Sequence, residues 1–179
     1  MNISQLIKQF GGESALDSVG HAVGLNRDQV ASMIDSVAPM VMRGIQHQAS
    51  TDDGLSSFRD ALQTGNHERY IEDPAVLRTE EAKKDGLDIL GHIFGDQEVN
   101  RNVASEAANR TGIDTSLVMK ALPMVASLIM GAMSKHSNQG RELETSAEKP
   151  NALGPLASLF DMDHDGQVLD DIIGMASRI

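Results

Sequence analysis

The chain has 179 residues, 26 acidic against 15 basic side chains, a formal net charge of −11, 40% apolar residues, 3% aromatics and no Cys or Trp. A chain of this length buries about 70% of its unfolded surface, and the balance excludes a disordered chain, a collagen-like chain and a disulfide scaffold. Thiolate zinc sites and thiol catalysis are excluded with Cys, and so acidic a surface disfavours nucleic acid and membrane as partners.

Helical periodicity dominates from the N-terminus on. Ile3, Leu6, Ile7 and Phe10 share one helix face, which Gly11 and Gly12 interrupt. A second short helix is expected over 13–23, with Gly24 as its left-handed stop. Asn26 reads as an N-cap, and Gln29 three residues later completes a capping box. The long apolar-periodic helix that follows reaches about Gln48, and Pro39 inside it predicts a kink or break near Ala38. Residues 51–64 form a further helix stopped by Gly65. Residues 66–85 are polar and charged, with Pro74 at the start of a short helix. The apolar run 89–94 is closed by Gly95. Asp96 caps a helix to Arg110, which Gly112 ends.

Asp114 or Thr115 caps the most apolar helix, which contains Pro123 and runs to about His136. Its apolar stretch, 121–133, lies between Lys120 and Lys135. It falls short of the ~20 residues of a membrane span, so a core helix is expected. Being apolar on nearly every face, it belongs at the centre of a bundle. Residues 134–150 have the composition of a polar linker, and two short helices near 153–160 and 168–177 close the chain. The fold class is all-α, a multihelical bundle around a buried central helix, as one domain over 1–179. A weak internal repeat relates about 19–95 to about 107–174: Gly24-Leu25 and Gly112-Ile113 each open a long helix, and 89–95 matches 168–174 in pattern. The N-terminal residues hold no apolar run long enough for a signal peptide, which with the lack of Cys predicts a cytoplasmic protein.

The most specific motif is Asp161-Met162-Asp163-His164-Asp165-Gly166-Gln167-Val168, the first half of an EF-hand loop. Carboxylates on alternate residues converge on one hard cation, Gly166 permits the turn, and the Gln167 carbonyl adds a ligand. The second half departs from the pattern. Ile172 stands where a bidentate Glu belongs, leaving Asp170 or Asp171 to substitute. Calcium bound by Asp161, Asp163, Asp165, Gln167 and Asp171 is therefore expected at a Kd of ~10⁻⁴–10⁻³ M. The alternative is an acidic turn whose Asp side chains cap the next helix.

Residues 19–33 resemble a helix-turn-helix, with Gly20, Gly24, Leu25, Val30 and Met33 at packing positions. The face that would read DNA carries Arg27, Asp28, Gln29, Ser32 and Asp35, a poor electrostatic footprint for a polyanion. No catalytic motif is present: there is no His-x-x-x-His run, Gly-x-Ser-x-Gly elbow or phosphate-binding Gly loop. Among the six His residues, His92 in its apolar segment stands out, and a lone His there is expected to be structural. Asp52-Asp53 and Glu80-Glu81 read as helix starts or solvated faces. The ten Met residues read as core filler on the long helices, with an adaptable binding face as the alternative.

The Gly-Leu-opened helix, Ile89-Leu90-Gly91-His92-Ile93-Phe94-Gly95, Leu122-Pro123-Met124-Val125 with Met130-Gly131, and the terminal Asp run at 161–171 occur together. In that combination the chain resembles the YidB-like bacterial proteins of unknown function, from about Gly11 to Ser177. The resemblance implies a multihelical bundle around a central helix at 115–133 and brings no catalytic residue or substrate. The expected function is a non-enzymatic binding or interaction module, acting on an unidentified protein partner or on itself. Calcium binding through the Asp run and DNA binding through 19–33 are the alternatives.

Overall fold

The computed structural model describes residues 3–144, and every regular element among them is helical. Helix α1 spans Ile3–Val23, α2 Arg27–Gln48, α3 Asp52–Thr64, α4 Arg69–Glu72, α5 Glu80–Phe94, α6 Gln97–Thr111 and α7 Thr115–Glu144, with a 3-10 turn at Pro74–Arg78. Local chemistry sets most of these limits. Asn26 Oδ1 accepts the Gln29 N–H at 2.9 Å while the Gln29 side chain accepts the Asn26 N–H at 3.0 Å, closing the capping box. Side-chain oxygens of Thr51, Thr79 and Asp96 cap α3, α5 and α6, and Asp114 accepts the Ser116 N–H at 2.8 Å ahead of α7. Each such cap is worth about 1 kcal/mol. Gly95 and Gly112 end α5 and α6 in the left-handed conformation.

The Gly pair near the N-terminus acts as its sequence predicts. Gly12, at φ 57 and ψ −156, divides α1 into two helical pieces in a backbone region open only to Gly. Pro39 does not break α2, which runs on as one element. Pro39 itself is exposed while Val37, Ala38 and Val41 around it are buried, so tertiary packing holds the helix across the missing hydrogen bond.

Helix α7 is the axis of the bundle. Residues 121–134 are buried without exception, with α1, α5 and α6 packed along it. The stretch Thr115–Gln139, of mean hydropathy 1.7, is long and apolar enough to cross a membrane, contrary to the shorter segment expected from sequence. Yet 78% of its most apolar window lies inside the protein. Helix α5 meets it at very short range: a Cβ placed on Gly86 would stand 2.2 Å from the Pro123 carbonyl oxygen. Ser127, fully buried, directs its hydroxyl to the Ala82 carbonyl at 3.5 Å across the same junction. Met33, Met124, Met130 and Met133 are buried, and Met40, Met42 and Met119 pack against the core. Met thus serves as core filler in a chain poor in aromatics.

Two boundaries differ from the sequence expectation for one physical reason. The polar linker expected over 134–150 is helical as far as Glu144, because its first residues have distant partners. The buried Ser134 hydroxyl donates to the Leu62 carbonyl at 3.0 Å, Lys135 pairs with Glu72 at 3.0 Å, and Asn138 donates to Glu68. Helix α4 lies in the polar segment ahead of the short helix expected at Pro74, which is the 3-10 turn, and α5 begins at Glu80, well ahead of the apolar run at 89–94. The Asp-rich loop, the two expected C-terminal helices and much of the second repeat lie outside the described residues.

Candidate functional site

Helix α3 buries one side chain, Leu62, and leaves Leu55, Phe58 and Ala61 only half-buried against the core. A cavity of about 660 Å³ opens between it and α2, α5 and α7, a volume typical of small-molecule sites. Helical spacing builds both walls. Asp53, Gly54, Ser57, Phe58 and Ala61 recur along one face of α3, and Asp85, Asp88, Ile89, His92 and Ile93 along one face of α5. Ile45 and Gln48 close one end from the last turns of α2, Met130 comes from α7, and Thr51, Gly65 and His67 come from the connections. Phe58, Ala61, Ile45, Ile89, Ile93 and Met130 supply the apolar surface, and every formally charged residue lining it is an Asp.

One of those carboxylates is held from behind. Arg69 Nη2 donates to Asp85 Oδ2 at 2.6 Å and to the Tyr70 hydroxyl at 2.8 Å, and Nη1 reaches Glu81 at 3.0 Å. The Tyr70 hydroxyl donates to Asp85 Oδ2 at 2.5 Å, and the guanidinium lies 4.9 Å from the centre of the Tyr70 ring. Burial, and then the carboxylate that its proton bridges to, push the Tyr70 phenol up to about 12. The hydrogen bond to Tyr70 leads the causes that raise the Arg69 guanidinium above its usual value. Asp53 and Asp88, by contrast, form no ion pair among the described residues.

His67 is 8% exposed. Its Nδ1 is buried without a hydrogen-bond partner, and its ring stacks on Tyr70 with centroids 6.3 Å apart. Burial is the main cause that lowers its pKa; Asp85 opposes the shift and Arg69 adds to it. Burial thus favours the neutral ring, which donates one hydrogen bond and accepts one. His92 is exposed, with Nδ1 2.7 Å from the Asp88 carbonyl oxygen one turn earlier. Neither His67 nor His92 is hydrogen-bonded to a hydroxyl or carboxylate, and no cluster among the described residues has the ligands to hold a metal.

The residues singled out in the sequence fare unevenly. His92 lines the cavity. Asp52 and Asp53 stand in the first turn of α3, and Glu80 and Glu81 in that of α5. Residues 19–33 do form two helices joined at Gly24 (φ 77). There Arg27 is held by Asp17 at 2.7 Å and Glu13 at 2.5 Å, which lowers the Asp17 carboxyl below its ordinary value through that hydrogen bond. Asp161, Asp163, Asp165, Gln167 and Asp171 lie outside the described residues. His67, Asp85 and Asp88 went unnoticed in the sequence. The usable signal was the mixed stripe Asp85, Asp88, Ile89, His92, where charge and apolar bulk share a helix face instead of taking opposite ones.

The family model described as "Bacterial protein of unknown function (DUF937)" matches residues 4–136. The chain belongs to this family, of which YidB is a member. The match covers the helical body that bears the cavity and ends before the Asp-rich loop. No curated protein and no solved structure matches the chain.

Proposed function

We propose that this DUF937 member is a non-enzymatic, cytoplasmic binding module whose ligand enters the cavity between α2, α3, α5 and α7. The observation that carries this reading is a concave site of about 660 Å³ with apolar walls and a few polar groups, the make-up of ligand pockets in general. The outer surface offers little competition. Leu87 and Val99 are the large apolar side chains exposed among the described residues, and two such residues do not make a patch. His92 bonded to a backbone carbonyl and His67 with no hydrogen-bonded acid at its Nδ1 support binding over catalysis. A neutral apolar dye such as Nile red tests the assignment. It should bind the full chain with one-to-one stoichiometry and lose that binding in Ala61→Trp, whose side chain fills the cavity. Undiminished binding in the variant would reject the cavity as the site.

The alternation of Asp161, Asp163 and Asp165 before Gly166 favours a second reading, a calcium-responsive protein. Calorimetric titration of calcium into chelator-treated protein should then show a site of Kd ~10⁻⁴–10⁻³ M that Asp163→Ala removes. Without such a site the Asp run is a helix-capping turn.

A further inference from the structure

Given the cavity as binding site, its charge and shape narrow the ligand. Among the described residues, Asp53 and Asp88 stand on opposite walls with no ion-pair partner, and no Lys or Arg lines the space to balance them. Asp85 is already paired with Arg69. Carboxylates at the mouth of an apolar cleft act through low-dielectric walls and draw in cations. The same lining includes Phe58, Ile89 and Met130, which reward an apolar body. His67 adds an independent sign of a missing partner: a lining side chain more than nine-tenths buried whose Nδ1 bonds to nothing. The ligand is small, because a protein partner would need apolar surface around the mouth, and Leu87 and Val99 are the exposed large apolar residues among those described.

From these observations we infer that the cavity binds a small organic ammonium ion, an amine carried on an apolar body, with the charge between Asp53 and Asp88 and the body against Phe58, Ile89 and Met130. Three probes of equal shape test it on the full chain by calorimetry or ligand-observed NMR: 4-phenylbutylamine, 4-phenylbutanol and 4-phenylbutyrate. The amine should bind at one site, at least about tenfold tighter than the carboxylate. The double variant Asp53→Asn/Asp88→Asn, altered at two exposed positions, should bring the amine down to the affinity of the alcohol. Ala61→Trp should abolish binding of all three probes.

Equal affinities for the three probes in the unaltered protein would overturn the inference while leaving the cavity a binding site. An amine preference that survives Asp53→Asn/Asp88→Asn would overturn it as well. Failure of all three probes to bind at millimolar concentration would remove the inference and the cavity reading together. A helical Leu/Lys peptide that binds where the amine does not would replace the small ligand by a protein segment and likewise overturn the inference.

Discussion

Helix α5 faces two very different neighbours. Toward α7 it is packed to the limit: Gly86 lies against the Pro123 backbone, Ala82 takes the Ser127 hydroxyl, and Leu90 is fully buried. Toward α3 the same helix leaves about 660 Å³ unfilled, and the residues that border it mix Asp and His with Ile. A turn of helix thus separates a junction that tolerates no extra atom from one that has room for a ligand. The lesson is that burial in this bundle is organised around α7, with α3 left as an outlying wall.

Substitutions should reveal this asymmetry. Gly86→Val places an isopropyl group where even a Cβ has no space, and urea or thermal melts should show a loss of about 3 kcal/mol. Leu128→Ala, in the buried stretch of α7, should cost about 3 kcal/mol. Phe58→Ala removes a larger side chain from the open wall and should cost less than about 1.5 kcal/mol. Equal losses for Leu128→Ala and Phe58→Ala would mean that α3 is integral to the core.

The Arg69–Tyr70–Asp85 group lies between these extremes. Asp85→Asn keeps the shape but removes the charge that both Arg69 and the Tyr70 hydroxyl address, and should destabilise by about 1–2 kcal/mol. Tyr70 is the single Tyr in a chain without Trp, so phenolate absorbance reports it alone. It should titrate near 12 in the folded protein, above the ~10 of a free phenol. The stabilisation linked to it is complete below about pH 10 and is lost as pH rises through 12, since the unfolded chain releases that proton first. Asp85→Asn should bring the folded value down.

The smallest effect is expected at His67. Its pKa is depressed from 6.5 by burial, so its contribution is complete above about pH 6.5 and lost as pH falls below it, where the unfolded chain takes up the proton first. His67→Gln should flatten the acid side of the stability profile relative to the unaltered protein. An unchanged acid limb would place the ring in solvent, and the cavity would then be wet on both sides.

What the sequence told and what it withheld divide along the range of the interactions. The Asn26–Gln29 box, the Asp96 cap and the stops at Gly95 and Gly112 involve residues within a turn of each other, and periodicity with capping rules located them closely. The central helix was equally plain, because 121–133 is apolar on every side. Helix α4 and the far end of α7 were missed because polar residues there are ordered by partners 63 to 72 positions away, through Lys135–Glu72, Asn138–Glu68 and Ser134–Leu62. The cavity was missed for a related reason. Periodicity tells which face of α3 turns inward, and says nothing of how far α3 stands from α5.

The central position of α7 also has a bearing on how the chain is made. The helix that every layer leans on is the last of those described to leave the ribosome. Until it emerges, α1 and α5 lack the helix against which each packs most extensively. Ring contact between Phe10 and His136, 6.5 Å apart, joins residues made at opposite ends of that interval. Elongation at ~5–20 residues per second makes the wait about 6–25 seconds long. During it the faces of α1, α5 and α6 that pack on α7 stay without that partner, so closure of the core around it waits on translation.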